Sequence, residues 1–197
     1  MDNEVPSLNL GDDRKPAPGE LSLVQGFVNT LEPDEDREDL PDAESLGRWL
    51  AHYGLMTAGD DVCQADFDQA IRVREALRSV LLANNGALQD PDAIAALNAA
   101  AKTAELLVRF DDAGKARLEP MRGGVDGAIA RLLAIVECAQ AEDKWVRLKV
   151  CPDDDCGWAF YDWSKNRSAT WCSMESCGNR AKARSYRERQ RASHSHA

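Results

Sequence analysis

Four of the six cysteines in this chain stand in two pairs of equal spacing, Cys151 with Cys156 and Cys172 with Cys177. No other feature restricts the fold as tightly. Each pair encloses four residues, and fifteen residues separate the pairs. A tetrahedral zinc site is built from short loops that each deliver two thiolates and a longer segment that returns the second pair to the first. The intervening WAFYDWSKNRSATW is predicted to form that returning hairpin. Four thiolates leave no coordination position open, so the one zinc ion expected here is structural and contributes folding free energy on the order of 10 kcal/mol. Disulfides, a redox pair or an iron–sulfur cluster are the competing uses of the same sulfurs.

The compartment bears on that choice. The first twenty residues hold no apolar signal-peptide core, and no run of 18 apolar residues occurs. The expectation is a cytoplasmic protein without a membrane span, in which thiols serve metals more often than disulfides. Cys63 and Cys138 have no cysteine at ligand spacing, and Cys138 sits in a helical apolar pattern that predicts a buried thiol. His52 is isolated and expected at a surface or helix end, and His194 and His196 belong to a terminal tail.

Around the cysteines, Trp145, Arg147 and Lys149 alternate with Val146, Leu148 and Val150, which predicts a strand entering the first pair. Trp158, Phe160, Tyr161 and Trp163 are the expected small core over the site. The second pair runs into NRAKARSYRERQRA, rich in helix formers and free of Gly and Pro. Arg180, Arg184, Arg187 and Arg191 follow i, i+4, i+7, i+11 and share one face of that helix, while Lys182 and Arg189 lie with Tyr186 on another. With almost no apolar stripe, the helix is expected to present its surface to a partner.

Net charge divides along the chain. Residues 1–143 hold 13 Lys and Arg against 28 Asp and Glu, a balance of −15, and residues 144–197 hold 11 against 6, a balance of +5. The basic end suits phosphates. Its candidate nucleic-acid contacts are Lys165, Arg167, Asn179, Arg180, Lys182, Arg184, Arg187, Arg189 and Arg191, with Asn179 and the arginines able to reach base edges. Docking of the same helix on the acidic front of this chain, or on another acidic protein, is the competing use.

Ahead of the cysteines the pattern is mostly helical. Val24, Phe27, Val28 and Leu31 fall at helical spacing before Pro33, and PDEDREDLPD is expected as a solvated acidic loop. Asp42 is the predicted N-cap of a helix carrying Leu46, Trp49, Leu50 and Tyr53. A longer helix follows Asp66 with a stripe of Phe67, Ala70, Ile71, Arg74, Leu77 and Leu81, and Asp90-Pro91 opens another. ELLVRF and KARLEP flank a turn at Asp111–Gly114 and predict a hairpin, and a last apolar helix covers about 125–141. The predicted organisation is a flexible tail at 1–19, a mostly α domain at 20–143 with one short β-hairpin, a zinc module of knuckle, β-hairpin and basic helix at 144–192, treble-clef or zinc-ribbon-like, and a tail at 193–197.

Cys177-Gly178-Asn179-Arg180 spells the motif of the CGNR zinc fingers, and FYDWSKNRSATWCSMESCGNRAKARSYRERQR resembles that module along its length. LSLVQGFVNTLEP and IRVREALRSVLLA resemble the helical domain that usually precedes it, with Gly26 where an acidic residue is expected. The resemblance implies a bacterial, stress-linked transcription regulator. It implies Cys151, Cys156, Cys172 and Cys177 as zinc ligands, Gly178, Asn179 and Arg180 as the signature, DNA as partner, and a front domain that binds a small-molecule effector or forms a homo-oligomer. The alternative is a zinc-stabilised adaptor that docks on an acidic protein. No Ser/His/Asp grouping, P-loop or GxGxxG occurs, so no enzymatic activity is expected.

Overall fold

The computed structural model describes residues 15–194, with side chains described to Arg191. The predicted tails therefore lie outside the described residues at 1–14 and 195–197, as do His196 and the side chain of His194. The fold is mostly helical with small hairpins, and among the described residues no helix is long and apolar enough to cross a membrane.

Helix α1 (Leu21–Val28) is buried at every residue and lies at the centre. It stops before the predicted Leu31. Asn29 turns its side chain to a distant strand, and the Thr30 hydroxyl donates to the Phe27 carbonyl at 2.8 Å. The acidic segment that follows is a tight hairpin of β1 (Leu31–Glu32) and β2 (Arg37–Glu38) around a 3-10 turn at Pro33–Glu35, where a solvated loop was expected. Its acids are organised by arginines. Arg74, only 3 % exposed, places both Nη atoms on the Glu38 carboxylate at 2.8 Å, and Arg37 meets Glu32 at 3.0 Å.

Local capping decides the other helices. Asp42 and Ser45 form a reciprocal capping box at the start of α2 (Ala43–His52). Helix α3 (Gln64–Ala83) begins three residues before the predicted position, because the Asp66 carboxylate accepts from the Cys63 N–H at 3.0 Å as a third-position cap. Asp90 caps α4 (Pro91–Ala104). The predicted hairpin is present as β3 (Leu106–Phe110) and β4 (Ala116–Pro120), its turn held by N–H donation from Ala113 and Lys115 to the Asp111 carboxylate. Helix α5 (Gly124–Ala141) packs Ala128, Ile129, Leu132 and Ile135 against α1 and α3.

The C-terminal module joins this core through a third hairpin, β5 (Leu148–Val150) with β6 (Ala159–Tyr161). Trp145–Arg147 is a 3-10 turn, so the strand predicted from Trp145 begins only at Leu148. The hairpin also lies elsewhere than predicted: it closes around the first cysteine pair instead of filling the gap between the pairs. Strand alternation then splits the aromatics. Ala159 and Tyr161 enter the large helical core with Leu148 and Val150, Trp158 and Phe160 pack on the cysteines, and Trp163 is 54 % exposed.

A two-stranded hairpin is not stable alone, and its free edges need partners. Side chains of the helical region supply them. The Ala159 N–H donates to Asn29 Oδ1 at 2.7 Å, and its carbonyl accepts from Asn29 Nδ2 at 2.9 Å and Gln25 Nε2 at 3.2 Å. Asn84 donates to the carbonyls of Trp145 and Leu148, and Asn85 to those of Val150 and Thr170. Arg78 donates to Gly157 and, at 2.6 Å, to Val28. Replacing Asn29 by Ala orphans the buried Ala159 N–H and is expected to destabilise the zinc-loaded protein by about 1–3 kcal/mol. Urea unfolding should show this as a lower midpoint with an unchanged slope.

Candidate metal centre and the start of the basic helix

The first cysteine pair lies in the loop of the β5–β6 hairpin. The Cys151 N–H donates to the Trp158 carbonyl at 2.9 Å, and the Cys156 N–H donates to that of Asp153 at 2.8 Å. Gly157 takes φ +58°, a left-handed conformation in which a side chain would be strained. The second pair lies where the return segment meets a helix. Cys177 falls in a single π-helical turn, Met174–Gly178, which runs straight into α6 (Asn179–His194). Gly178 is needed for close approach: a Cβ there would stand 2.8 Å from the Met174 sulfur and 3.4 Å from the Trp171 ring.

The four sulfurs all lie within 4.8 Å of one another, with Cys156 to Cys172 and Cys172 to Cys177 each at 3.6 Å. A disulfide needs about 2.05 Å. Four thiolates about 2.3 Å from a tetrahedral zinc would stand about 3.8 Å apart. The arrangement fits one structural zinc ion held by Cys151, Cys156, Cys172 and Cys177, and it does not fit disulfides. By themselves, sulfurs this close cannot all ionise. Hydrogen bonds from Cys156 and Cys172 hold the Cys151 thiol down to about 2, hydrogen bonding to Cys151 pushes Cys156 up to about 12 and Cys172 higher still, and burial raises Cys177. A divalent cation removes that conflict.

Two buried carboxylates frame the site, and neither was singled out in the sequence. Asp153, in the first loop, has a fully buried side chain and accepts from Arg180 Nε at 2.8 Å and an Arg184 Nη at 2.7 Å. Burial raises its carboxyl pKa, but the two guanidiniums outweigh that and hold it below the usual range. Asp162 follows β6 and pairs with buried Lys149 at 2.7 Å. Lys149 also donates to the carbonyls of Arg167 and Ala169, and Asp162 accepts from the N–H groups of Ser164 and Ala169. The return segment thus wraps a buried ion pair. Burial raises the Asp162 pKa, and Lys149 and Ser164 bring it below normal.

The expected cationic face is divided. Arg180 is committed to Asp153, to Cys177 Sγ at 3.1 Å and to Asp34 of the β1–β2 turn, and Arg184 to Asp153. Lys182, Arg187, Arg189 and Arg191 are exposed along α6. The Nε of Arg187 and of Arg189 donates to the Ala183 and Ser185 carbonyls, and Asn179 donates to the Glu175 carbonyl. Lys165 is exposed on the return loop, and Arg167, also exposed, pairs with Asp143. The reason for the split is that the first turn of α6 is an internal part of the metal module. Outside it, Cys138 is exposed on α5 where a buried thiol was predicted, since its position faces away from the α1 and α3 contacts. Cys63 is exposed at the start of α3, and His52 at the end of α2 stands edge-on to the Tyr53 ring.

Two family models match the chain. Residues 21–141 match ABATE, described as "Putative stress-induced transcription regulator", and residues 147–190 match the CGNR zinc finger. No curated protein matches it.

Reduced protein should carry one zinc per chain by elemental analysis, and Cys172→Ser should abolish stoichiometric retention. Because Asp153 and Asp162 have depressed pKa values when folded, the stability they contribute is complete above the unfolded carboxylate value of about 3.9 and is lost as pH falls through the folded values. Thiolate protonation also releases zinc in acid, so the carboxylate effect is best isolated at pH 7, where Asp153→Asn is expected to destabilise the zinc-loaded protein by about 1–3 kcal/mol in denaturant melts.

Proposed function

This chain belongs to the ABATE family and closes with a CGNR zinc finger, and from that premise we propose that it is a zinc-dependent DNA-binding transcription regulator. The zinc folds the module at 144–192, α6 contacts DNA, and the helical domain at 20–143 regulates that contact, through an effector or through self-association. The observation that carries the reading is the exposed cationic surface of α6. Lys182, Arg187, Arg189 and Arg191 are exposed on a helix whose start is clamped by the metal ligands. Held at one end, such a helix presents phosphate-binding charge at a fixed angle, which lowers the ordering cost on association.

A second reading, an adaptor for acidic proteins, draws support from one contact: Arg180 of α6 already takes the Asp34 carboxylate of the helical domain as a partner. The two readings differ in the polyanion bound. On the first, affinity for double-stranded DNA falls steeply with salt, and replacing Lys182 and Arg187 by Ala reduces the slope of log affinity against log salt by about 0.9 for each phosphate that is no longer neutralised. Fluorescence anisotropy across a salt series checks this. A flat salt dependence, with capture of an acidic protein that survives nuclease treatment, favours the adaptor.

A further inference from the structure

Arg180 occupies a junction that neither the cysteine ligands nor a phosphate contact explains. Its guanidinium meets three separate parts of the chain. One Nη donates to the Cys177 sulfur at 3.1 Å, Nε donates to Asp153 Oδ2 at 2.8 Å, and the two Nη atoms fork onto the Asp34 carboxylate at 3.0–3.3 Å. These partners belong to the metal-ligand helix start, the first cysteine loop and the β1–β2 hairpin of the helical domain. Three separated nitrogens of a planar fork make five contacts to these partners, whereas a lysine ammonium carries three donors on a single nitrogen and cannot reproduce that spread. A phosphate would have to compete for Nε and Nη edges already held by two carboxylates, one of them with a fully buried side chain.

The hydrogen bond to sulfur matters for the metal. A ligand thiolate held from outside is fixed in direction, and loss of such outer partners typically lowers metal affinity. Arg184 shares Asp153 but has no bond to a cysteine sulfur in the structure, so it reinforces the loop without reaching the ligand. Among the described basic residues of α6, Arg180 thus joins the metal centre to the helical domain through direct contacts at both ends.

We propose that Arg180 is a positioning residue of the zinc centre: it holds the Cys177 thiolate from the outer sphere and fastens the start of α6 to the helical domain through Asp34, without contacting nucleic acid. The last clause rests on the DNA-binding reading, whereas the roles toward zinc and Asp34 stand apart from it.

The test uses full-length, zinc-loaded protein with no nucleic acid present and follows zinc transfer to a chromophoric chelator. Arg180→Ala is expected to lower zinc affinity by about 10–100-fold, the range for outer-shell partners of metal ligands. Arg180→Lys is expected to fall in the same direction by at least about tenfold, because retained charge does not restore the fork. Arg187→Ala should hold zinc like the unaltered chain. Asp34→Asn keeps the sulfur contact, so it should retain zinc better than Arg180→Ala while exposing residues 177–184 to faster amide hydrogen exchange. If Arg180→Ala does not fold, Arg180→Lys and Asp34→Asn carry the test. Zinc affinity in Arg180→Lys equal to that of the unaltered protein overturns the zinc role, and unchanged exchange in Asp34→Asn overturns the fastening role. Failure of Arg187→Ala to alter DNA binding would count against the functional reading and leave this assignment standing.

Discussion

Four thiolates within 4.8 Å of one another repel too strongly to coexist without a cation, and the geometry of the C-terminal module follows from that requirement. Two of the sulfurs sit in the loop of a three-residue-stranded hairpin and two where the return segment meets a helix. Zinc binding by all four ties loop to helix. Trp158 and Phe160 then have a surface to cover, and the first turn of α6 acquires a fixed place. That closed tetrathiolate set gives the ion a structural role and leaves no position for substrate.

The module is not an appendage on a string. Strand alternation in β6 sends successive side chains to two different clusters, so a single strand serves the metal core on one face and the helical core on the other. Side-chain amides of Asn29, Asn84 and Asn85 take the place of neighbouring strands along the hairpin edges. The Asp34–Arg180 pair adds an ionic contact beside them. On the exposed side such a pair contributes little stability by itself. Its importance lies in direction, since the same guanidinium reaches a metal ligand. Through that pair the helical domain contacts the start of the basic helix directly.

Much of this was legible because the signals are local. Asp42 and Asp90 cap the helices they precede, and the Asp111–Gly114 turn closes its hairpin, because capping and turn bonds span only two to four residues. The errors fall where partners are distant. PDEDREDLPD reads as solvated charge until Arg74 arrives from α3 to hold Glu38. Cys138 keeps an apolar helical context in sequence and still faces outward. The strand partner of Leu148–Val150 lies before Asp162, just past the first cysteine pair, and periodicity alone does not say which strand pairs with which.

The linear sequence by itself determined the ligand set, its zinc chemistry and the excess of cations on the last helix, because those depend on residue type and short spacing. Only the tertiary structure decided which cations remain exposed. Arg180 and Arg184 share the helical periodicity of Arg187, yet Asp153 lies 27 residues before Arg180 and Asp34 lies 146 before it. Periodicity assigns a residue to a face of its own helix. What that face meets is set by long-range packing, and here packing brings two acidic loops to the first turns while Lys182, Arg187, Arg189 and Arg191 stay exposed.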